Sequence, residues 1–310
     1  MARPTDRLAY LAYRTAAELA QRVPVRVGEP AARTLGRMLS VAQPERRRIV
    51  RRNLERAYGR RRGELATRRS VAAAFESYGR YWLELFRLPT RPDEVIAGFS
   101  IEGFEPIAEA TARGDGAILA LPHLGGWEAA ALWMTSQGHP LTAVVERVEP
   151  PELLEWFVSV RRAIGVEVIP LGPDVGTSAL RTLREGKALA LLCDRDLSGD
   201  GVEVEFFGER TTLPSGPALL ALRTGAPLFP SAVYFRAGGG HHAVVRPPLE
   251  TTRQGKLRDN IVELTQRLAF ELEDLIRVAP EQWHMMQPNW PSDRTTRRRF
   301  LPTRLSDVWA

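Results

Sequence analysis

The chain of 310 residues is 44% hydrophobic and 26% charged, a mixture that builds a sizeable core and excludes an intrinsically disordered tail. Its 23 prolines follow no period, which excludes a fibre, and a single cysteine excludes an internal disulfide framework or a cysteine-rich zinc site. The net charge of +6 is unevenly spread: residues 1–92 carry 21 arginines against 8 acidic residues, whereas the remainder carries 22 basic residues against 29 acidic ones. A localised basic region points to an anionic partner surface.

The opening segment MARPTDRLAYLAYRTAAELAQRVP does not read as a signal peptide, because Arg14 and Glu18 interrupt its apolar stretch. No window approaches 18 uncharged apolar residues, so no spanning helix is expected, and the protein is placed in the cytoplasm or on its boundary. Three regions are expected: a basic, helical, membrane-facing part over 1–92, an α/β core over 93–293, and a basic tail over 294–310. In the first, Leu8, Leu11, Thr15, Leu19 and Val23 recur at helical spacing beside Arg7, Arg14, Glu18 and Arg22. Such a helix lies flat on lipid headgroups or packs on its own protein, since both need one apolar stripe. A charged helix follows over 44–58. A stronger one, TRRSVAAAFESYGRYWLELFRLP, carries Val71, Phe75, Tyr78, Trp82, Leu85 and Phe86 on one broad face before Pro89 stops it.

From about residue 95 short apolar strands alternate with helices. Strands are expected over 117–121, 141–145, 166–169, 188–193, 228–235 and 242–246, the last antiparallel to its neighbour across a short glycine turn. Helices are expected over 129–135, 150–163, 177–185 and 256–276. This rhythm predicts an α/β fold with a mostly parallel central sheet flanked by helices, and it places functional loops beyond the carboxyl ends of strands.

Two such loops carry chemistry. His123 ends a buried strand in PHLGGWE, where Gly125 and Gly126 let backbone approach a ligand and Glu128 lies in the next helical turn. A carboxylate there can accept the proton of one ring nitrogen and leave the other as a base. The second loop, Asp194-Arg195-Asp196, follows another apolar strand. Its carboxylates serve either as an ion-pair scaffold or as a partner for His123, with Arg195 meeting an anionic group. Asp194 is the better candidate, being first beyond the strand, and Asp196 the second. His241 and His242 point to opposite faces of a strand and cannot jointly hold a metal, so no metal site is expected. Cys193, inside ALALLC, reads as buried filler. Nor is there a phosphate-binding P-loop, a strand-linked GxGxxG or a GxSxG elbow.

Taken together, PHLGGWE, ERVEPPELLEWFVSVRRAIGVEVIPL, LLCDRDLSGDGVEVEFFGERTTLPSGPALLALRTGAPLFP and PEQWHMMQPNW resemble the bacterial lipid A biosynthesis acyltransferases over nearly the whole chain. The wording is nearest the branch that acylates phosphatidylinositol mannosides. The resemblance implies an acyl-CoA donor with no bound cofactor, an anionic glycolipid acceptor with a mannosyl hydroxyl, and work on the cytosolic face of the inner membrane; nucleic acid is not expected as a partner, because no nucleic-acid fold signature accompanies the basic region. It assigns the motif histidine to His123, its acidic companion to Glu128 and the charge relay to Asp194 or Asp196. Arg147 and Arg195 match basic positions for coenzyme A or inositol phosphate. Backbone N–H groups near Gly125 and Gly126 are the candidates for an oxyanion hole, and Trp127, Trp133, Phe206 and Phe207 those for an acyl groove. Two other readings remain: an acyltransferase for another glycolipid, such as a lipid A-like precursor, and a non-catalytic protein that binds anionic lipid.

Overall fold

Helices take up the start of the chain, as the apolar spacing there requires. A computed structural model describes residues 4–59 and 62–294. Four helices come first: α1 (Pro4–Arg22), α2 (Val25–Ala42), α3 (Pro44–Tyr58) and α4 (Glu64–Arg87). There follow α5 (Pro92–Ala97), β1 (Phe99–Glu102), α6 (Glu105–Ala112), β2 (Ala117–Leu121), α7 (Trp127–Ser136), β3 (Leu141–Val145), α8 (Pro151–Ala163), β4 (Glu167–Pro170), α9 (Val175–Arg184) and β5 (Ala188–Leu192). The remainder is a hairpin of β6 (Val202–Phe206) and β7 (Glu209–Leu213), then α10 (Gly216–Thr224), β8 (Leu228–Phe235), β9 (His241–Val245) and α11 (Leu257–Val278). The basic tail expected from 294 onward lies, apart from its first residue, outside the described residues.

The main sheet has seven strands in the order β1-β9-β8-β2-β5-β3-β4. Strands β8, β2, β5, β3 and β4 run parallel; β9 is antiparallel to β8, and β1 follows the direction of β9. The mostly parallel sheet and the antiparallel strand near residue 242 are therefore present. Period-two alternation divides the core. Ala117, Leu119 and Leu121 of β2 pack with Tyr13, Val50, Phe75 and Phe157, while Ile118 and Ala120 pack on the other side with Leu183, Leu220 and Leu268. Helices α1, α3 and α4 thus share one core with the sheet. Cys193 is buried in the second cluster.

Helix α2 packs in an unusual sense. Its buried positions are Gly28, Ala32, Gly36 and Ser40, all small, whereas Val27, Leu35, Met38 and Val41 are 60 to 71% exposed. The small face exists for contact with α4. A Cβ on Gly36 would stand 2.1 Å from the Phe75 carbonyl oxygen, and one on Gly79 would stand 2.3 Å from that of Ala32.

Helix α3 is bolted to the C-terminal segment. The Arg56 guanidinium lies over the Trp290 ring and pairs with Glu209 and the fully buried Asp293, which Arg52 also contacts; Asn53 donates to the Met285 carbonyl. Part of the basic charge counted in residues 1–92 is therefore spent inside the fold.

Candidate active site

Parallel pairing of neighbouring strands brings the two loops together. Leu121 of β2 lies in register with Leu192 of β5, so residues two positions further along, His123 and Asp194, emerge side by side at the carboxyl edge of the sheet. Asp194 is fully buried. Its Oδ1 lies 2.6 Å from His123 Nδ1, and its Oδ2 accepts the His123 backbone N–H at 3.0 Å and the Trp283 indole N–H at 2.7 Å. Asn289 Nδ2 donates to the Asp194 carbonyl. Burial alone would raise the carboxyl's pKa, but the His123 charge and these hydrogen bonds prevail and hold it below the ordinary aspartate value.

The turn after His123 is fixed by close backbone packing. Gly125 has φ of +60°, and a Cβ there would stand 2.0 Å from the Val233 carbonyl oxygen. Only glycine meets both demands. The Gly125 N–H donates to the Gln282 carbonyl and the His284 N–H to that of His123, so the PEQWHMMQPNW segment braces the turn.

Several sequence-derived positions sit elsewhere than expected. Glu128 does not reach a ring nitrogen of His123. Placed in the first turn of α7, it points to α4 and α8, where Oε1 accepts Tyr81 Oη at 3.0 Å and pairs with Arg161 at 2.8 Å. Burial raises its pKa despite Arg161 and Tyr81, and Oε2 is buried without a hydrogen-bond partner. Asp196 turns back on its own loop, accepting the N–H groups of Gly199 and Gly201, and is not joined to His123. The Gly125 N–H is not available to an oxyanion, because Gln282 already accepts it. Gly126 faces the rings of His241 and Phe235. Arg195 pairs with Glu146 at 2.6 Å and borders the cavity beside His123, whereas Arg147 is exposed and donates to the Leu171 carbonyl.

That cavity measures about 450 Å³ and is lined chiefly by apolar side chains, among them Leu119, Leu121, Ala143, Phe157, Ile164 and Val166. His123, Trp127 and His284 stand on its wall. Of the four aromatic groove candidates only Trp127 lines it. Trp133 packs on Phe99 and Phe104 at the margin of the core, and Phe206 and Phe207 pack on Trp283 and Trp290 inside it.

Trp283, Asn289 and His284 carry no individual signal in the sequence, although the block PEQWHMMQPNW that holds them does. His284 bonds Ser77 Oγ through Nε2 at 2.9 Å, and burial together with the His123 charge pushes its pKa down to about 3, against the pull of Asp194. It is neutral across the physiological range.

The depressed pKa of Asp194 has a consequence for stability. Its contribution is present in full above the ordinary aspartate value of about 4 and is lost as pH falls through the lower folded-state value. The stability gap between the wild type and Asp194→Asn, read from denaturant melts, is therefore expected to narrow on acidification below about pH 4.

Comparison with known proteins extends this geometry. A family model described as bacterial lipid A biosynthesis acyltransferase matches residues 5–292. A phosphatidylinositol mannoside acyltransferase of Mycobacterium tuberculosis is 40% identical over 236 residues, covering 74% of this chain and 72% of that protein. One from Mycolicibacterium smegmatis is 38% identical over 256 residues, 81% of each chain. A lipid A biosynthesis acyltransferase of Haemophilus influenzae is 27% identical over 187 residues, 58% of this chain and 55% of that one. Because the match runs from the first helix to the segment that braces Asp194, the chain belongs to the bacterial lipid A biosynthesis acyltransferase family, and it is an acyltransferase.

Proposed function

We propose that this enzyme moves a long-chain fatty acyl group, such as palmitoyl, from acyl-CoA to a mannose hydroxyl of a phosphatidylinositol mannoside. The observation that carries the reading is the His123–Asp194 pair opening onto an apolar cavity of about 450 Å³. An alcohol is a weak nucleophile near neutral pH, so it needs a base at the moment of attack. With Asp194 on Nδ1, His123 Nε2 takes the hydroxyl proton as the sugar oxygen bonds to the thioester carbon. The C–S bond then breaks, and the imidazolium returns the proton to the departing thiolate. Asp194 fixes the tautomer and stabilises the transient imidazolium. Glu128, Tyr81 and Arg161 hold α7 against α4 and α8 and so support the cavity wall. Arg195, beside the cavity, is the basic group for a substrate phosphate.

The same reading makes residues 1–92 the membrane-facing part of a peripheral protein on the cytoplasmic side of the inner membrane. No helix among the described residues is long and apolar enough to cross a bilayer. The outward apolar face of α2, with the exposed Leu11 and Leu19 of α1, supports shallow insertion, and the remaining surface arginines suit anionic headgroups.

The test is release of coenzyme A from palmitoyl-CoA over a panel of glycolipid acceptors, with the product's acylated position located by mass spectrometry. Phosphatidylinositol mannosides are expected to stimulate release and to gain the acyl group on mannose. Stimulation by a lipid A-like glucosamine precursor alone would replace the acceptor while leaving the chemistry, and acceptor-independent hydrolysis in every case would remove both.

A further inference from the structure

The last turn of α4 holds a buried cation without a counterion. Arg87 is only 6% exposed, yet neither terminal guanidinium nitrogen has a hydrogen-bond partner. No carboxylate among the described residues lies within ion-pair distance of it. Glu84 is engaged by Arg80 and His241, and Glu94 by Arg91. Burial and the nearby Arg91 charge lower its pKa, against the weaker pull of Glu94 and Glu84.

The neighbouring group has the same sign. Arg87 Nη1 stands 3.4 Å from where a Cβ on Gly28 would be, in the first turns of the 18-residue α2. That helix starts after Pro24 with no side-chain cap and no acidic residue in its first turn. The N–H groups of Val27 and Gly28 are taken by the Pro24 carbonyl, whereas those of Val25 and Arg26 have no acceptor within the helix. Helix N-termini normally gather Asp, Ser or a carboxylate, because free N–H groups and the helix dipole favour negative charge. Here a buried guanidinium packs against Gly28 of that first turn instead. An arginine fork packed on the first turn of an uncapped helix offers donors that match the oxygens of a phosphate.

We propose that Arg87 and the N-terminal turn of α2 form a binding site for a phosphate group, supplied by a phospholipid of the membrane on which the protein sits. Naming a lipid as the source rests on the membrane attachment set out above. Val25 and Val27 are exposed at the same turn, and the apolar face continues through Leu35, Met38 and Val41. A phosphate at Arg87 would therefore leave its acyl chains alongside an apolar helix face. Pro24, Val25, Arg26 and Val27 are exposed at the start of the same helix, the side from which the headgroup would arrive.

The test uses the full chain, two substitutions and two kinds of vesicle. Arg87→Gln removes the charge; Gly28→Asp places a carboxylate beside Nη1 and fills the site from within. Binding is compared on phosphatidylglycerol vesicles and on phosphate-free galactolipid vesicles doped with oleate to the same surface charge. Both variants are expected to lose about fivefold in affinity for phosphatidylglycerol, the usual effect of one basic residue at a lipid surface, and to match the wild type on the oleate vesicles. Gly28→Asp is also expected to raise Tm, which separates loss of the site from loss of the fold. Equal binding of all three proteins to phosphatidylglycerol, or equal losses on both vesicles, would overturn the proposal. If the wild type binds neither vesicle, the membrane attachment fails on its own. Inorganic phosphate that then raises Tm of the wild type but not of Arg87→Gln would retain the phosphate site with a free anion as its ligand, and no such difference would overturn it.

Discussion

Asp194→Asn is expected to lower kcat by roughly 10²- to 10⁴-fold, with a much smaller change in acceptor KM. The reason is the hydrogen-bond polarity around the side chain. Two donors, the His123 backbone N–H and the Trp283 indole N–H, converge on Oδ2. An asparagine must turn its carbonyl oxygen toward them, which leaves its NH₂ group facing His123 Nδ1. Nδ1 then has to accept, the ring proton moves to Nε2, and the base is lost although shape and packing survive. Glu128→Gln provides the contrast. It keeps an acceptor for Tyr81 and Arg161 and does not touch the His123 ring, so its kcat is expected to fall much less. Steady-state rates of coenzyme A release measure both. A larger loss in Glu128→Gln than in Asp194→Asn would transfer the relay to Glu128.

Replacing His123 by alanine is expected to cost at least as much, upwards of ~10²-fold in acyl transfer, in a protein that remains folded. His123 is partly exposed at the cavity edge, and its main polar partner is Asp194. Its removal leaves the Asp194 carboxylate buried with the Trp283 and backbone donors only, so some stability is lost as well. The informative comparison is the double variant His123→Ala/Asp194→Asn. Because an aspartate that acts only through the histidine has nothing left to support, the double variant is expected to be about as slow as His123→Ala alone. Multiplying losses in the double variant would mean that Asp194 acts on the substrate independently.

The residues themselves reveal much of the sheet and both site loops. The apolar runs at Ala117–Leu121, Leu141–Val145 and Leu228–Phe235 read as strands because no charged residue interrupts them, and they occupy those positions. Segments whose local signal conflicts with their structure do not stand out in the sequence. Helix α2 contains Gly28, Pro30 and Gly36, residues that weaken a helix, and it exists because its small face allows close approach to α4. The short β1 has a weak pattern and pairs only at the sheet edge, on β9. At the site, spacing brought Glu128 close to His123 in sequence, but the direction of a side chain on the first helical turn depends on where α4 and α8 pack. The pairing of His123 with Asp194, 71 positions apart, follows from strand register. Register between strands that are not consecutive in the chain is invisible to local pattern. The supports from Trp283 and Asn289 lie still further along, and the aromatic residues expected in a groove went largely to the core.

In the proposed mechanism a buried aspartate holds the Nδ1 proton of His123 and leaves Nε2 free to act as the base. Nitrogen NMR of the histidine rings, with His123 assigned by the loss of its signals in His123→Ala, reads this directly. At a pH where the ring is neutral, His123 is predicted to show a protonated Nδ1 and a bare Nε2 in the wild type, with the two exchanging roles in Asp194→Asn. A wild-type ring protonated on Nε2, and unchanged by Asp194→Asn, would contradict it.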